Sequence, residues 1–196
     1  MDERQWVRDY FERFLSSLAG AEAAEQIVAL KGLFEEARQR GGKVIFVGNG
    51  GSASIASHCA VDFTKNAGLR CVNFNEADLI TCLANDHGYE QWVEKALEMY
   101  ADECDVAVLI SSSGKSPNMV RAGRYASARG LVVVTLTGFA PDNPLRKLGT
   151  LNFWVDSREY NVVEMTHHIW LLAVCDLMIE RSACAPNRDA SHAVPH

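Results

Sequence analysis

The chain has no paired cysteines, no clustered basic residues and no apolar segment of the kind that begins a secreted protein. Its six cysteines stand singly, without a CxxC pair, so we expect reduced and mostly buried thiols. The nineteen Lys and Arg residues are scattered and the formal net charge is −6, which argues against a nucleic acid or membrane partner. We also expect no run of bilayer-spanning length. The sequence therefore predicts a cytoplasmic protein with a small ligand.

Short apolar segments alternate with helical ones in a chain of 196 residues that is 48% hydrophobic. That length and apolar content fit one domain with a sizeable core. Continuous apolar strands that alternate with helices are typical of a parallel sheet covered on both faces. We therefore predict an α/β protein, a three-layer αβα sandwich with a five-stranded parallel sheet. The predicted strands are 43–47, 70–74, 105–110, 131–136 and 151–155.

Helices are predicted at both ends of this sheet-forming region. Residues 3–18 and 21–39 form an N-terminal pair, and the first of them carries a broad aromatic stripe that needs a partner surface. Residues 159–180 are apolar almost all the way round. Because such a helix is usually buried on several sides, we expect these terminal helices in oligomer contacts.

The domain boundaries follow from these elements. We assign 1–182 to a single domain, of which 1–40 is the helical pair. The remainder, 183–196, is predicted to be a flexible tail. Its two histidines, His192 and His196, carry no expected function.

A glycine-rich turn follows the first strand, within 44–62. Gly48, Gly50 and Gly51 allow the backbone to turn sharply and to approach a ligand closely. Ser52 is expected to cap the helix that follows, and the free N–H groups and dipole of that helix favour an anion. The turn therefore predicts a phosphate site.

Two reactive side chains lie on the same predicted helix. His58 and Asp62 are four residues apart and so share one face. A phosphate bound at the turn would have its carbon skeleton close to both. This arrangement favours an enzyme that acts on a phosphorylated small molecule.

A second loop of the same kind follows the strand at 105–110. It reads Ser-Ser-Ser-Gly-Lys-Ser-Pro over 111–117 and leads into another helix. Hydroxyls, backbone N–H groups and a helix N-terminus are what phosphate oxygens require. A P-loop is excluded because Leu109 stands where that motif needs glycine.

Dinucleotide binding is an alternative for the first loop alone. Gly48, Gly50 and Ala53 match GxGxxA, and Glu76 follows a second strand where a ribose-binding acid lies in Rossmann proteins. This interpretation leaves the serine loop unexplained, and we expect no nucleotide cofactor.

The two loops, NGGS at 49–52 and SSSGKS at 111–116, together resemble the sugar isomerase (SIS) domain family, in particular its phosphoheptose isomerase branch. The resemblance extends to the AND triplet at 84–86, to TLTG at 135–138 and to the ExxH spacing in the last helix. It implies a flavodoxin-like fold and a homotetramer with sites between subunits. Some members of the branch hold zinc.

The resemblance also implies an activity and a set of contacts. Members of this branch convert sedoheptulose 7-phosphate to D-glycero-D-manno-heptose 7-phosphate, a ketose-to-aldose conversion through an enediol. Asp86 and His167 are expected to bind substrate, or Asp86 to cap a helix that starts near Tyr89. The loop residues expected to hold the phosphorylated ketose are Asn49, Gly50, Gly51, Ser52, Ser111, Ser112, Ser113 and Ser116. Lys115 is either a solvated charge or an added cation for the phosphate.

The chain departs from the family pattern at two positions. Asp62 stands where the family has glutamate, and Leu172 stands where the last helix of the family has a further histidine. His168, one turn before Leu172, is the expected substitute. If the lost histidine abolishes catalysis, the alternative is a non-catalytic SIS module that binds a sugar phosphate or associates with a replication initiator. A third hypothesis is an isomerase with a changed sugar substrate.

Ketose–aldose isomerisation needs one group to move a proton between C1 and C2 and another to serve the two oxygens. We expect Glu164 or Asp62 to be the carbon base. His58, helped by His167 or His168, is expected to serve the oxygens. The same side chains could instead bind one zinc ion that polarises the carbonyl. The four expected ligands are His58, Asp62, Glu164 and His168.

Overall fold

The computed structural model describes residues 2–20 and 22–183 and has the predicted αβα architecture. Five parallel strands form one sheet in the order β2-β1-β3-β4-β5. The strands are β1 Val44–Gly48, β2 Cys71–Asn73, β3 Val106–Ser111, β4 Val132–Thr137 and β5 Leu151–Trp154. The helices are α1 Glu3–Leu18, α2 Ala23–Gln39, α3 Gly51–Lys65, α4 Ala77–His87, α5 Trp92–Tyr100, α6 Pro117–Ala128 and α7 Tyr160–Ala183, with a short 3₁₀ turn at Arg146–Leu148.

Strand β1 shows why the sheet is covered on both faces. Successive side chains of a strand point to opposite faces, and every residue of β1 is buried. Val44 and Phe46 pack in the core beneath α2, α3 and α7. Ile45 and Val47 pack in the core beneath α5 and α6. A strand that is apolar at every position is therefore what this layer requires.

The chain order reverses between β1 and β3, which are neighbours in the sheet. Gly48 of β1 pairs with Ile110 of β3, so both strands end at the same level. Ligands of open α/β sheets bind in the crevice beyond the strand ends at such a reversal. The order is flavodoxin-like and not that of a Rossmann dinucleotide-binding sheet.

Several local predictions were wrong, and capping explains two of them. Helix α4 was not predicted. It begins where the Glu76 carboxylate accepts hydrogen bonds from the N–H groups of Asp78 and Leu79 at 2.9 and 3.1 Å. Glu76 is thus a helix cap, and the segment before Gly88 is helical and not a turn. Helix α5 begins at Trp92 and not near Tyr89.

The start of α3 also differs from the prediction. The helix begins at Gly51, and its N-cap is Gly50 with a φ of 56°. Ser52 lies inside the first turn, is buried and does not cap the helix. The helix therefore begins two residues earlier than it would with a serine cap at Ser52.

Helix α7 is the most apolar element. By length and hydropathy alone Tyr160–Glu180 could cross a membrane, so the expectation that no run has that length was wrong. Half of this window is buried within the fold, and α7 packs against α1, α2 and α3. Packing therefore accounts for its apolar character. The predicted tail lies outside the described residues apart from Ala183, which ends α7.

Helix α1 is tied to the domain through its C-terminal end. The Trp170 indole N–H of α7 donates to the carbonyl oxygen of Leu18 at 3.1 Å. No residue of α1 is itself buried, and Trp6, Phe11 and Leu15 are exposed. Part of the aromatic stripe predicted for this helix is therefore uncovered in the single chain.

The five cysteines within the described residues are all unpaired. Cys59 and Cys175 are buried, and Cys82 is exposed. Burial raises the pKa of Cys59 to about 12 and that of Cys175 to about 11. These two thiols are therefore protonated and unreactive at neutral pH.

Candidate functional site

The glycine turn after β1 is held in place by an asparagine from the end of β2. Asn75 accepts a hydrogen bond from Gly48 N at 3.1 Å and donates one to Gly48 O at 2.7 Å. A side chain at Gly48 would collide with the backbone of Ser52. The turn therefore requires glycine at this position, and Asn75 fixes where β1 ends.

The serine loop after β3 is largely buried and internally bonded. Ser111 and Ser112 are buried, and the hydroxyls of Ser111 and Ser116 are 3.4 Å apart. Gly114 adopts a φ of 61°, and a side chain there would collide with Asn143. The loop thus places serine hydroxyls before the N-terminus of α6, and their role in phosphate binding stays a prediction.

A pair of side-chain amides connects the two loops. Asn49 Nδ2 donates to Asn118 Oδ1 at 3.0 Å, and Asn118 Nδ2 donates to Asn49 Oδ1 at 2.9 Å. The Tyr89 hydroxyl also donates to Asn49 Oδ1, at 3.1 Å. Sequence reasoning missed Asn118 and Tyr89. The only signal for Asn118 was its position two residues after Ser116, in the first turn of the next helix.

His58 of α3 and His168 of α7 are in direct contact. Nδ1 of His58 lies 2.8 Å from Nε2 of His168, and the two rings meet edge to face. On its other side, His58 Nε2 lies 3.3 Å from Asp62 Oδ2. Burial and the neighbouring His58 lower the pKa of His168, against a smaller raising effect of Asp62. Asp62, His58 and His168 therefore form one continuous polar chain.

Glu164 of α7 approaches the glycine turn. Its carboxyl group occupies the space that a side chain at Gly51 would need. Burial raises the pKa of Glu164, and the hydroxyl of Ser112 partly offsets this. The Ser112 hydroxyl has no hydrogen-bond partner of good geometry. It therefore lies near the Glu164 carboxyl group without forming a full hydrogen bond to it. Glu164 thus lies between the glycine turn and the serine loop.

His167 lies beneath the serine loop and not in the open crevice. It is fully buried, and its Nε2 lies 3.0 Å from the carbonyl oxygen of Thr137. Burial lowers the pKa of His167 to about 4, so the ring is neutral at pH 7 and Nε2–H is the donor. The N–H of Gly138, in the same peptide unit, donates to Ser112 O at 2.8 Å. His167 therefore connects to the serine loop through one peptide group.

Three further positions complete the placement of the predicted residues. Asp86 is exposed near the end of α4, and its carboxylate accepts from Asn85 Nδ2 at 2.9 Å. Its role in substrate binding stays a prediction. Lys115 is exposed on the serine loop, and Leu172 is partly buried one turn beyond His168.

The four predicted zinc ligands do not converge on one point. Asp62 and His168 contact opposite nitrogens of the His58 ring, so a metal on either nitrogen has only one of them beside it. The 2.8 Å separation of the two histidine nitrogens is that of a hydrogen bond. Within residues 2–20 and 22–183, no group of three His, Cys, Asp or Glu side chains is arranged to hold a metal ion. This arrangement does not fit zinc, and the zinc site stays a prediction.

A cavity of about 420 Å³ lies away from these loops, between α1, α2 and the end of β5. Trp154, Arg146 and Asp156 line it, together with none of the predicted site residues. We place the functional site at the two loops because the anion-binding groups and the histidine pair are there. The crevice between the two loops is open to solvent in the single chain, where Gly50, Gly51 and His58 are exposed.

Comparison with known proteins identifies the family to which most of the chain belongs. A sequence model of the SIS domain matches residues 8–138. A phosphoheptose isomerase of Burkholderia pseudomallei is 34% identical over 145 residues, which cover 71% of this chain and 73% of that protein. One from Fusobacterium nucleatum is 40% identical over 104 residues, 50% of this chain and 54% of its relative. The chain thus spans about half of the latter protein.

The fold comparison extends further along the chain. The structure of a phosphoheptose isomerase from Neisseria gonorrhoeae superimposes with a TM-score of 0.81 at 27% sequence identity. The superposition covers 89% of this chain and 98% of the other. The resemblance inferred from the motifs is therefore confirmed.

Proposed function

This chain belongs to the SIS domain family, and on that premise we propose that it is a phosphosugar isomerase of the phosphoheptose isomerase type. It interconverts a ketose phosphate and an aldose phosphate, namely sedoheptulose 7-phosphate and D-glycero-D-manno-heptose 7-phosphate. The observation that carries this proposal is the Asp62–His58–His168 chain, in which Asp62 and His58 lie on the helix that begins at the glycine turn and His168 reaches them from α7.

The spacing along α3 suits a long substrate. Gly51 begins the helix and His58 lies seven residues later, which is about 10 Å along the axis. A seven-carbon ketose with a terminal phosphate has its reacting carbons and its phosphate at opposite ends. With the phosphate at the helix N-terminus and the serine loop, C1 and C2 reach the level of His58.

We assign the two substrate oxygens to His58 and His168, and the substrate must then displace one of the contacts that Asp62 and His168 make with the two nitrogens of His58. When Asp62 accepts the Nε2–H of His58, the His58 Nδ1 is an acceptor for the Nε2–H of His168. One imidazole of such a pair can bind a proton while the other releases one. In the ketose-to-aldose direction, a proton is delivered to O2 and another is removed from O1.

Glu164 moves the proton between the carbons. It removes a proton from C1 of the ketose, which gives the enediol, exchanges that proton with solvent, and delivers a solvent-derived proton to C2, which gives the aldose. The raised pKa of Glu164 supports this role because a base works best when its pKa is near the working pH. Asp62 is the alternative base, but its contact with His58 favours an orienting role.

The proton transfers above are assigned to side chains of this chain, and the zinc site stays a separate prediction. Zinc, where it binds, would polarise the substrate carbonyl. Its predicted ligands would have to leave the hydrogen-bonded arrangement around His58 to meet at one ion. Metal analysis of the purified protein, with turnover before and after dialysis against a chelator, tests this prediction directly.

We further propose a cytoplasmic homotetramer with sites between subunits. Exposed apolar side chains on two helices support association: Trp6, Phe11 and Leu15 on α1, and Met165 and Ile169 on α7. A neighbouring subunit would also close the crevice beside Glu164. Light scattering is expected to give four times the chain mass, and a stable monomer would contradict the intersubunit site.

Turnover on a substrate panel tests the proposed function. Sedoheptulose 7-phosphate is expected to give the aldose product at a higher kcat/KM than fructose 6-phosphate, because the shorter chain cannot span the distance from the phosphate loops to His58. An aldose product from the shorter ketose alone would indicate an isomerase with a changed substrate. Tight binding of either sugar without turnover would favour a non-catalytic binding module.

A further inference from the structure

The hydrogen-bonding capacity of the Asn49 carboxamide is nearly filled by protein groups. Its oxygen accepts from Asn118 Nδ2 at 2.9 Å and from the Tyr89 hydroxyl at 3.1 Å. A carboxamide oxygen has two lone pairs, and its nitrogen has two hydrogens. One hydrogen is donated to Asn118 Oδ1 at 3.0 Å. The remaining polar capacity of Asn49 is one N–H.

We propose that Asn118 and Tyr89 are positioning residues that hold Asn49 so that it offers the substrate a single N–H donor. The substrate atom opposite Asn49 must then be an acceptor, such as a phosphate or carbonyl oxygen. Without these two neighbours, the carboxamide could turn over and present its oxygen instead, which repels such an atom. The proposal rests on the proposed function only for the identity of the sugar phosphate.

Asn118 is suited to this role by its burial and its place in the fold. It is 1% exposed and lies in the first turn of α6, directly after the serine loop. Asn49 directly follows β1, whose last residue is fixed by Asn75. The amide pair therefore crosses the crevice between β1 and β3 and sets the distance between the two anion-binding loops.

Tyr89 brings a third segment to the same carboxamide. It lies between α4 and α5, directly after Gly88, whose φ of 88° ends α4. The Tyr89 side chain is 54% exposed, so removal of its hydroxyl leaves the core intact. Tyr100 is 53% exposed on α5 and provides a matched control.

A double-mutant cycle tests whether the two residues act through Asn49. Tyr89→Phe and Asn118→Leu are each expected to raise the KM for sedoheptulose 7-phosphate about fivefold, the usual effect of one lost hydrogen bond, with kcat within twofold. In an Asn49→Ala background, each is expected to change KM by less than about twofold, because the positioned group is absent. Tyr100→Phe is expected to leave KM unchanged in both backgrounds.

The outcomes separate this inference from the proposed function. Equal effects of Tyr89→Phe with and without Asn49 would overturn the inference while turnover upholds the isomerase. If the protein does not isomerise the sugar, the same double-mutant cycle is measured by calorimetry as the Kd for inorganic phosphate. Non-additive effects on that Kd support the inference. The KM of Asn118→Leu is interpreted only if the circular dichroism spectrum of this variant matches that of the wild type. If it does not, Tyr89→Phe alone tests the inference. A wild-type chain that binds neither sugar phosphate nor inorganic phosphate contradicts both proposals.

Discussion

Nδ1 of His58 and Nε2 of His168 lie 2.8 Å apart and share one hydrogen. The contact joins residues 110 positions apart in the chain and depends on the packing of α3 against α7. It can form only when the pair holds fewer than two extra protons, because two imidazolium rings have no acceptor to offer. His168, the expected substitute for the histidine that the family has at Leu172, thus contacts His58 directly.

Replacement of His168 tests whether the pair takes part in proton transfer. His168→Gln keeps an N–H donor for His58 but cannot exchange a proton. We expect kcat to fall about 10²-fold, the lower range for a lost acid–base group, with little change in KM. Steady-state kinetics measure this.

The control for that variant is His87→Gln, which changes an exposed histidine at the end of α4. It is expected to leave kcat and KM unaltered. Equal activity of His168→Gln and the wild type would limit His168 to packing.

A methyl group at Gly51 is expected to displace the proposed base. The Cβ of Gly51→Ala would overlap the Glu164 carboxyl group, so we expect kcat to fall at least about tenfold because the carboxylate leaves its working position. Gly32→Ala is the control, since the space beside Gly32 in α2 is open. That variant should keep full activity and gain up to about 1 kcal/mol of stability from helix propensity.

Loss of the Lys115 charge tests its part in anion binding. Lys115 is exposed on the serine loop, and Lys115→Ala is expected to raise KM a few-fold at unchanged kcat, because a charge that binds substrate and transition state equally affects only KM. Lys147→Ala, at another exposed lysine, is the control. Identical KM values for both variants would leave Lys115 as a solvated charge.

The buried His167 predicts a pH dependence of stability. Its pKa is lowered to about 4 in the folded chain from an ordinary value of 6.5, so between these values only the unfolded chain binds the proton. The free energy of unfolding therefore falls as the pH drops, by about 2 kcal/mol between pH 7 and pH 5. His167→Gln keeps a donor for Thr137 O and is expected to lose this part of the dependence.

Urea denaturation at the two pH values measures the difference between wild type and His167→Gln. The control is again His87→Gln, whose pH dependence should match the wild type. If His167→Gln and the wild type lose stability in parallel, the ring is protonated in the folded chain.

The strands were predictable because each is a continuous apolar run, and all five were found within two residues of the expected ends. Helix α4 was missed because Asn85, Asp86 and Gly88 are typical of a turn. The Glu76 cap and the Gly88 stop were present in the sequence, but Glu76 was interpreted as a possible ribose ligand. Polar residues therefore gave a wrong prediction for α4, whereas the apolar runs gave correct predictions for the strands.

The loops of the site were predictable from their residue types, but the contacts between elements were not. Serines and glycines after parallel strands indicate an anion site wherever the strands lie. The pairing of Asn49 with Asn118 and of His58 with His168 depends on side-chain packing between elements far apart in sequence. The burial of His167 likewise follows from the packing of α7 against the end of β4, which its neighbours along the chain do not specify.

The proposed reaction moves a proton between C1 and C2 of a ketose phosphate. The most direct measurement is NMR of sedoheptulose 7-phosphate incubated with the protein in deuterated water. We predict deuterium at C2 of a new aldose, abolished by His58→Ala and by Glu164→Gln and retained by His87→Gln. Binding of the sugar with no deuterium at C1 or C2 and no aldose would contradict the account.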